Sequence, residues 1–132
     1  MKRSKPLSRR TAPIRRAPVR KVNPKRKARN LLRAYGPAAR REWMTSMDCL
    51  TCGQPSFESA RTQQSHLRSR SGAGRKGDAR HTVPACDYCH KLYPRQSEWA
   101  KRFPDFTDAV LNAYAAALEL EWQAHLNRGT EP

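Results

Sequence analysis

Four cysteines fall in two matched pairs, Cys49-x-x-Cys52 and Cys86-x-x-Cys89, and the chain has no other cysteine. Structural zinc takes four ligands at the corners of a tetrahedron, and two residues between sulfurs let one tight turn aim both at a single ion. The pairs therefore read as the two halves of one zinc site. The 33 residues separating them exceed the roughly 15 to 20 of a simple zinc ribbon, which leaves room for an inserted functional element. Two disulfides or four unrelated buried thiols are the alternative, disfavoured in a chain that reads as intracellular. Three histidines lie within or beside the insert: His66, His81 and His90. An imidazole exchanges a proton near neutral pH and also binds metal. Taken singly, each is better explained as an ordinary strand or helix residue.

The elements that must position these groups can be read around them. Segments 63–70 and 81–86 fit short antiparallel strands, and Gly72, Gly74 and Gly77 with interspersed charge mark the stretch between as a turn. Residues 87–93 fit a helix that Pro94 interrupts. The order is strand, loop, strand, helix, with zinc tying its two ends. Upstream, a short helix is expected over 25–34, and Pro37 suits the first turn of another running to about Met47, with Trp43, Met44 and Met47 toward a core. Downstream, Asp105 is expected to cap a long helix with Asp108 in its first turn, ended by Gly129. Phe106, Val110, Tyr114, Leu118, Trp122 and Leu126 recur along it every four residues as a core or partner-facing stripe that slants round the helix by about 40° per step. His125 joins no constellation and reads as structural.

Charge is distributed unevenly. The chain of 132 residues carries a formal charge of +16, and only 37% of it is hydrophobic. Residues 1–36 hold 14 Lys or Arg and no acid, so the excess belongs to the N-terminal end. Pro6, Pro13, Pro18 and Pro24 interrupt helix there, and apolar residues are too few to offset the entropy of ordering. A disordered basic arm is expected over 1–36. Leu7, Ile14, Val19 and Val22 make no amphipathic stripe suited to a membrane surface. Phosphate neutralisation with counterion release is the better reading, and nucleic acid the expected partner. No stretch approaches the roughly 18 apolar residues of a membrane span, and the start lacks a secretory core, so a soluble, cytoplasmic protein is expected.

These motifs resemble the HNH endonucleases of the ββα-metal type, especially compact zinc-bearing forms from phages and prophages. The family runs Cys-x-x-Cys, a strand bearing an Asp-His or Ala-His pair, a glycine-rich loop, an Asn or His, and Cys-x-x-Cys-His on a helix. This chain has Cys49-x-x-Cys52, Ser65-His66, the 72–77 loop, His81 and Cys86-x-x-Cys89-His90. The likeness covers about residues 43–103, and the basic leader from Lys5 to Thr11 adds weakly to it. In register with the two cysteine pairs, the three histidines together point to a site. The resemblance implies that His66 is a general base, that His81 orients it or contacts metal, and that His90 binds a catalytic Mg2+ or Mn2+. Two family ligand positions hold Ser65 and Pro94 instead, with Asp78 a compensating candidate.

The expected fold is α+β: a small zinc-stapled ββα-metal (HNH) domain over 37–103, the arm over 1–36, and a C-terminal amphipathic helix over 104–128 packed on the domain or on a partner. The expected activity is metal-dependent DNA phosphodiester hydrolysis in a bacterial host cell. Arg61, Arg68, Arg70, Arg75, Lys76 and Arg80 are candidate backbone contacts, with a solvated charged loop as the plainer account. A non-catalytic zinc-knuckle binding protein in phage recombination or packaging is the alternative, with a phage or host protein of those processes as a further partner. A basic ribosome-associated factor is a third reading.

Overall fold

A computed structural model of the chain describes residue 18 and residues 21–68 and 77–129. Five helices and a two-stranded sheet are placed among these residues. Helix α1, Pro24–Tyr35, opens with proline at its first position, where the missing N–H is no loss, and Asn23 Oδ1 accepts from the Lys25 N–H at 3.0 Å. Gly36 ends it at φ +76°, where a Cβ would stand 2.8 Å from Arg40 Cδ. Helix α2, Ala38–Thr45, follows from Pro37 and buries Arg40 and Met44. Of the arm expected over 1–36, residues 24–35 are thus helical, close to the short helix expected there, and most of the remainder lies outside the described residues.

Strands β1, Gln63–His66, and β2, Thr82–Ala85, pair antiparallel with His66 opposite Thr82 and Gln63 opposite Ala85. A 3-10 turn, Ala79–His81, leads into β2. Pro84 is tolerated because β2 has one neighbour among the described residues, and its carbonyl accepts from the Leu50 N–H at 3.0 Å. Two strands are marginal by themselves and need helices against them. Helices α2 and α3, Asp87–Leu92, supply part of this cover, and α4, Gln96–Arg102, which was not anticipated from sequence, packs on α3. Leu67, Val83, Ala85, Cys89, Leu92, Tyr93 and Trp99 share one core with Met44, Leu111, Ala115 and Leu118.

Helix α5, Asp108–Arg128, begins later than expected. Its N-cap is Thr107, whose Oγ1 accepts from the Val110 N–H. Asp105 lies in a turn instead, and the Phe106 carbonyl is held by the Trp99 indole N–H at 2.9 Å. The buried residues are Leu111, Ala115, Leu118 and Trp122, while Tyr114 and Leu126 are exposed. The expected stripe meets the core at Leu118 and Trp122 and leaves it at Tyr114 and Leu126, for a geometric reason. Steps of four overshoot a 3.6-residue turn by about 40° each, so five steps swing round the helix by about 200°. Alternating steps of four, three and four stay on one face.

Polar contacts fix α5 against the rest. Tyr93 Oη donates to Asp108 Oδ1 at 2.8 Å and accepts from the Arg68 N–H at 3.1 Å, while Arg68 Nη2 donates to Asp108 Oδ2 at 3.0 Å. Farther along, buried Arg40 pairs with Glu119 at 2.8 Å. Among the described residues no helix is long and apolar enough to cross a membrane.

Candidate metal centre and the histidines around it

The four sulfurs of Cys49, Cys52, Cys86 and Cys89 lie within 4.8 Å of one another. A tetrahedral zinc with Zn–S bonds of about 2.3 Å sets its sulfurs about 3.8 Å apart. The Cys52 and Cys86 sulfurs are 3.6 Å apart, close to that edge and far from the roughly 2.05 Å of a disulfide. All four are free thiols. The cluster can therefore hold one zinc ion, and the disulfide alternative does not apply.

Local backbone builds each half. In the first, the Gly53 N–H returns to the Cys49 carbonyl at 2.9 Å, and Gly53 takes φ +74°, a left-handed conformation open to glycine. In the second, Cys86 is the N-cap of α3 and its sulfur accepts from the Cys89 N–H at 3.4 Å. The bond from Leu50 to the Pro84 carbonyl ties the first turn to the strand that delivers the second.

The thiols differ in acidity. Burial pushes Cys49 up, but the N–H groups of Cys52, Cys86 and Thr51 outweigh it and bring the thiol down to about 7. Burial raises Cys52, helped by the sulfurs of Cys49 and Cys86. Burial and the same crowding hold Cys89 far above the ordinary thiol range. Cys49 loses its proton more easily than an ordinary thiol, and Cys52 and Cys89 resist because burial and the neighbouring sulfurs disfavour further negative charge; a divalent cation removes that obstacle.

The three histidines have different neighbours. His66, half-buried at the end of β1, places Nε2 at 2.6 Å from the Ala34 carbonyl, and Tyr35 meets its ring edge-on with centroids 5.0 Å apart. A carbonyl only accepts, so Nε2 carries the proton and Nδ1 holds the lone pair of the neutral ring. His81, in the 3-10 turn, lines a cavity of about 380 Å3 with Arg80, Asn112, Ala116, Glu119 and Leu120. His90 is half-buried on α3, directly after Cys89, with Nδ1 shielded from solvent. His125 stacks on Trp122 and Trp43 at centroid distances of 5.5 and 6.4 Å, as a structural residue would.

The candidate backbone contacts divide likewise. Arg61 pairs with Glu42, Arg68 with Asp108, and Arg80 with Asp78. Arg70, Arg75 and Lys76 lie outside the described residues. Asp78 is held by Arg80: burial raises its carboxyl, and the Arg80 N–H and guanidinium more than reverse this. Sequence reading passed over Gln64, which donates from Nε2 to the Tyr35 carbonyl at 3.3 Å and so shares the α1-facing side of β1 with His66. Strand alternation was the signal for it, since residues i and i+2 share a face. It also passed over the Arg40–Glu119 pair, for which spacing offers no signal.

No family model matches the chain, and comparison with curated proteins and with solved structures gives no match.

Proposed function

We propose that the chain is a zinc-stapled, metal-dependent DNA endonuclease of the HNH type, with His66 as general base. The observation that carries this reading is the hydrogen bond from His66 Nε2 to the Ala34 carbonyl, on a strand whose hairpin runs into the second cysteine pair. It fixes the tautomer and angle of the ring, as proton abstraction from water requires. In the proposed reaction water attacks phosphorus, its proton passes to His66 Nδ1, and the P–O3′ bond breaks, with the departing oxygen protonated from solvent. His90 would contribute to a site for Mg2+ or Mn2+, which when bound would offset charge on the phosphate. Asp78 supplies no ready carboxylate to such an ion because it faces Arg80, and Asp87 is engaged by Lys91 and Gln63.

That shortage of carboxylates favours a second reading, a non-catalytic zinc-knuckle module that binds DNA in phage recombination or packaging. Plasmid incubated with purified protein and Mg2+ or Mn2+ separates the two. The nuclease reading expects nicked or linear product from wild type and a loss of roughly 100-fold or more in His66→Ala, the usual worth of a general base. A wild type that binds plasmid firmly and leaves it intact would remove the nuclease reading and keep the module.

A further inference from the structure

Helix α1 carries Lys25, Arg26, Lys27, Arg29 and Arg33 and no acid. At 100° per residue, Lys25, Arg26, Arg29 and Arg33 fall in one sector of about 100°, and Ala28, Leu31, Leu32 and Tyr35 fall in an adjoining one whose centre is about 120° away. The stripe is about 12 Å long from Lys25 to Arg33, at 1.5 Å per residue. Residues 21–33 are exposed, so the stripe is open to solvent. The helix is nonetheless anchored: the Ala34 and Tyr35 carbonyls accept from His66 and Gln64, and Ala34 is buried.

The cations of α1 differ from the other candidates in one respect. Arg61, Arg68 and Arg80 each face a carboxylate, whereas among the described residues none of Lys25, Arg26, Arg29 and Arg33 forms an ion pair. A cation already paired inside the protein gains less from a phosphate than an unpaired one, since it must give up its partner first. We propose that the α1 stripe, and not the arginines paired within the domain, is the surface that grips the backbone of double-stranded DNA. This rests on the nucleic-acid part of the reading above and not on hydrolysis. An α-helix about 10 to 12 Å across fits a B-form major groove of about 12 Å, with the stripe against the phosphates of its wall. A bilayer suits the helix less well, because Leu31 and Leu32 are the only exposed large apolar residues of α1, a small area to insert beside four cations.

The test compares two variants that lose equal charge. In one, Lys25, Arg29 and Arg33 are each changed to Gln, which keeps helix propensity; in the other, Arg95, Lys101 and Arg102 on and beside α4 are changed to Gln. Binding to a short duplex is followed by fluorescence anisotropy over about 50 to 300 mM salt without added divalent cation, so cleavage plays no part in the readout. The α1 variant is expected to flatten the slope of log K against log salt by roughly 2 to 3 and to weaken binding more than tenfold at physiological salt, at about 0.9 per phosphate contact. The α4 variant is expected to change the slope by less than about 1. Equal effects of the two would leave only bulk charge and overturn the proposal. So would duplex binding unchanged by the α1 variant, whether or not that variant loses binding to anionic phosphatidylglycerol vesicles. A wild type that never cleaves DNA would count against hydrolysis and leave this result standing.

Discussion

Withdrawing metal from the cysteine cluster should unfold the domain. Three of the four cysteines are 0–5% exposed and belong to the same core as Leu67, Val83, Leu92 and Trp99. Without an ion, that core holds thiols whose sulfurs crowd within 4.8 Å. Structural zinc contributes about 10 to 16 kcal/mol of apparent binding energy near neutral pH, as much as or more than the 5 to 15 kcal/mol net stability of a small domain. Full removal therefore leaves no margin. The assay is titration with a strong chelator, followed by far-UV circular dichroism and tryptophan emission, with native mass spectrometry for stoichiometry. Trp99 and Trp122 are 5% and 4% exposed, so unfolding should shift emission to the red. One zinc per chain is expected, with loss of signal and loss of metal in step. Uptake at neutral pH should release protons, because Cys52 and Cys89 hold theirs above the ordinary value while Cys49 sits at about 7. Affinity should accordingly fall as pH is lowered. A metal-free protein that keeps its native spectrum would refute the reasoning.

Two further predictions concern the seating of α5. Arg40 is 3% exposed and its Glu119 partner 21%, and Arg40 Nη1 has no hydrogen-bond partner among the described residues. Arg40→Ala should cost about 3 kcal/mol in denaturant melts by leaving Glu119 without its cation, though still held by Gln123, and a void beneath Gly36, whereas Arg40→Met with Glu119→Leu should cost far less; a single variant within about 0.5 kcal/mol of wild type would show that the pair carries little. Tyr93→Phe should cost about 1 to 3 kcal/mol, since the Arg68 N–H loses its acceptor and Asp108 a donor. Burial pushes the Tyr93 phenol up to about 12, with the Asp108 carboxylate adding to the effect. The folded state thus holds that proton more tightly than the unfolded chain, whose value is about 10. The contribution is complete below about pH 10 and is lost as pH rises toward 12, so melts of wild type and Tyr93→Phe should converge across that window. Parallel alkaline curves would remove Tyr93 from the account.

The parts of the fold that sequence disclosed are those written in local chemistry. Two Cys-x-x-Cys turns, Pro37 before α2 and Gly129 after α5 mark their positions through backbone geometry, and the cysteine pairs do come together, whereas Pro24, read as interrupting helix, opens α1. What escaped depended on contacts distant in sequence. Asp105 looked like an N-cap because an acid follows a proline, but the Trp99 indole bond to the Phe106 carbonyl holds that stretch as a turn, and the cap passes to Thr107. Leu111 and Ala115 outrank Tyr114 in burial because α5 faces the core on a 3.6-residue period, while the expected stripe slants away from that face, and which face meets the core depends on distant contacts. For the histidines, spacing gave the elements of His66 and His90 but set His81 on a strand, whereas it lies in the 3-10 turn before β2, and it gave none of their surroundings. The carbonyl held by His66 comes from the end of α1, 32 positions upstream, and no local pattern announces such a partner.

The bond between Leu50 and Pro84, with the cysteine pairs on either side of it, has a consequence for biosynthesis. At roughly 5 to 20 residues per second, the ribosome releases the second pair about 2 to 7 s after the first. Through that interval the nascent chain exposes half a ligand set, which binds zinc weakly and can be oxidised. Only when the later cysteines emerge can the ion bridge the two segments and complete the surface on which α5, made after them, must settle.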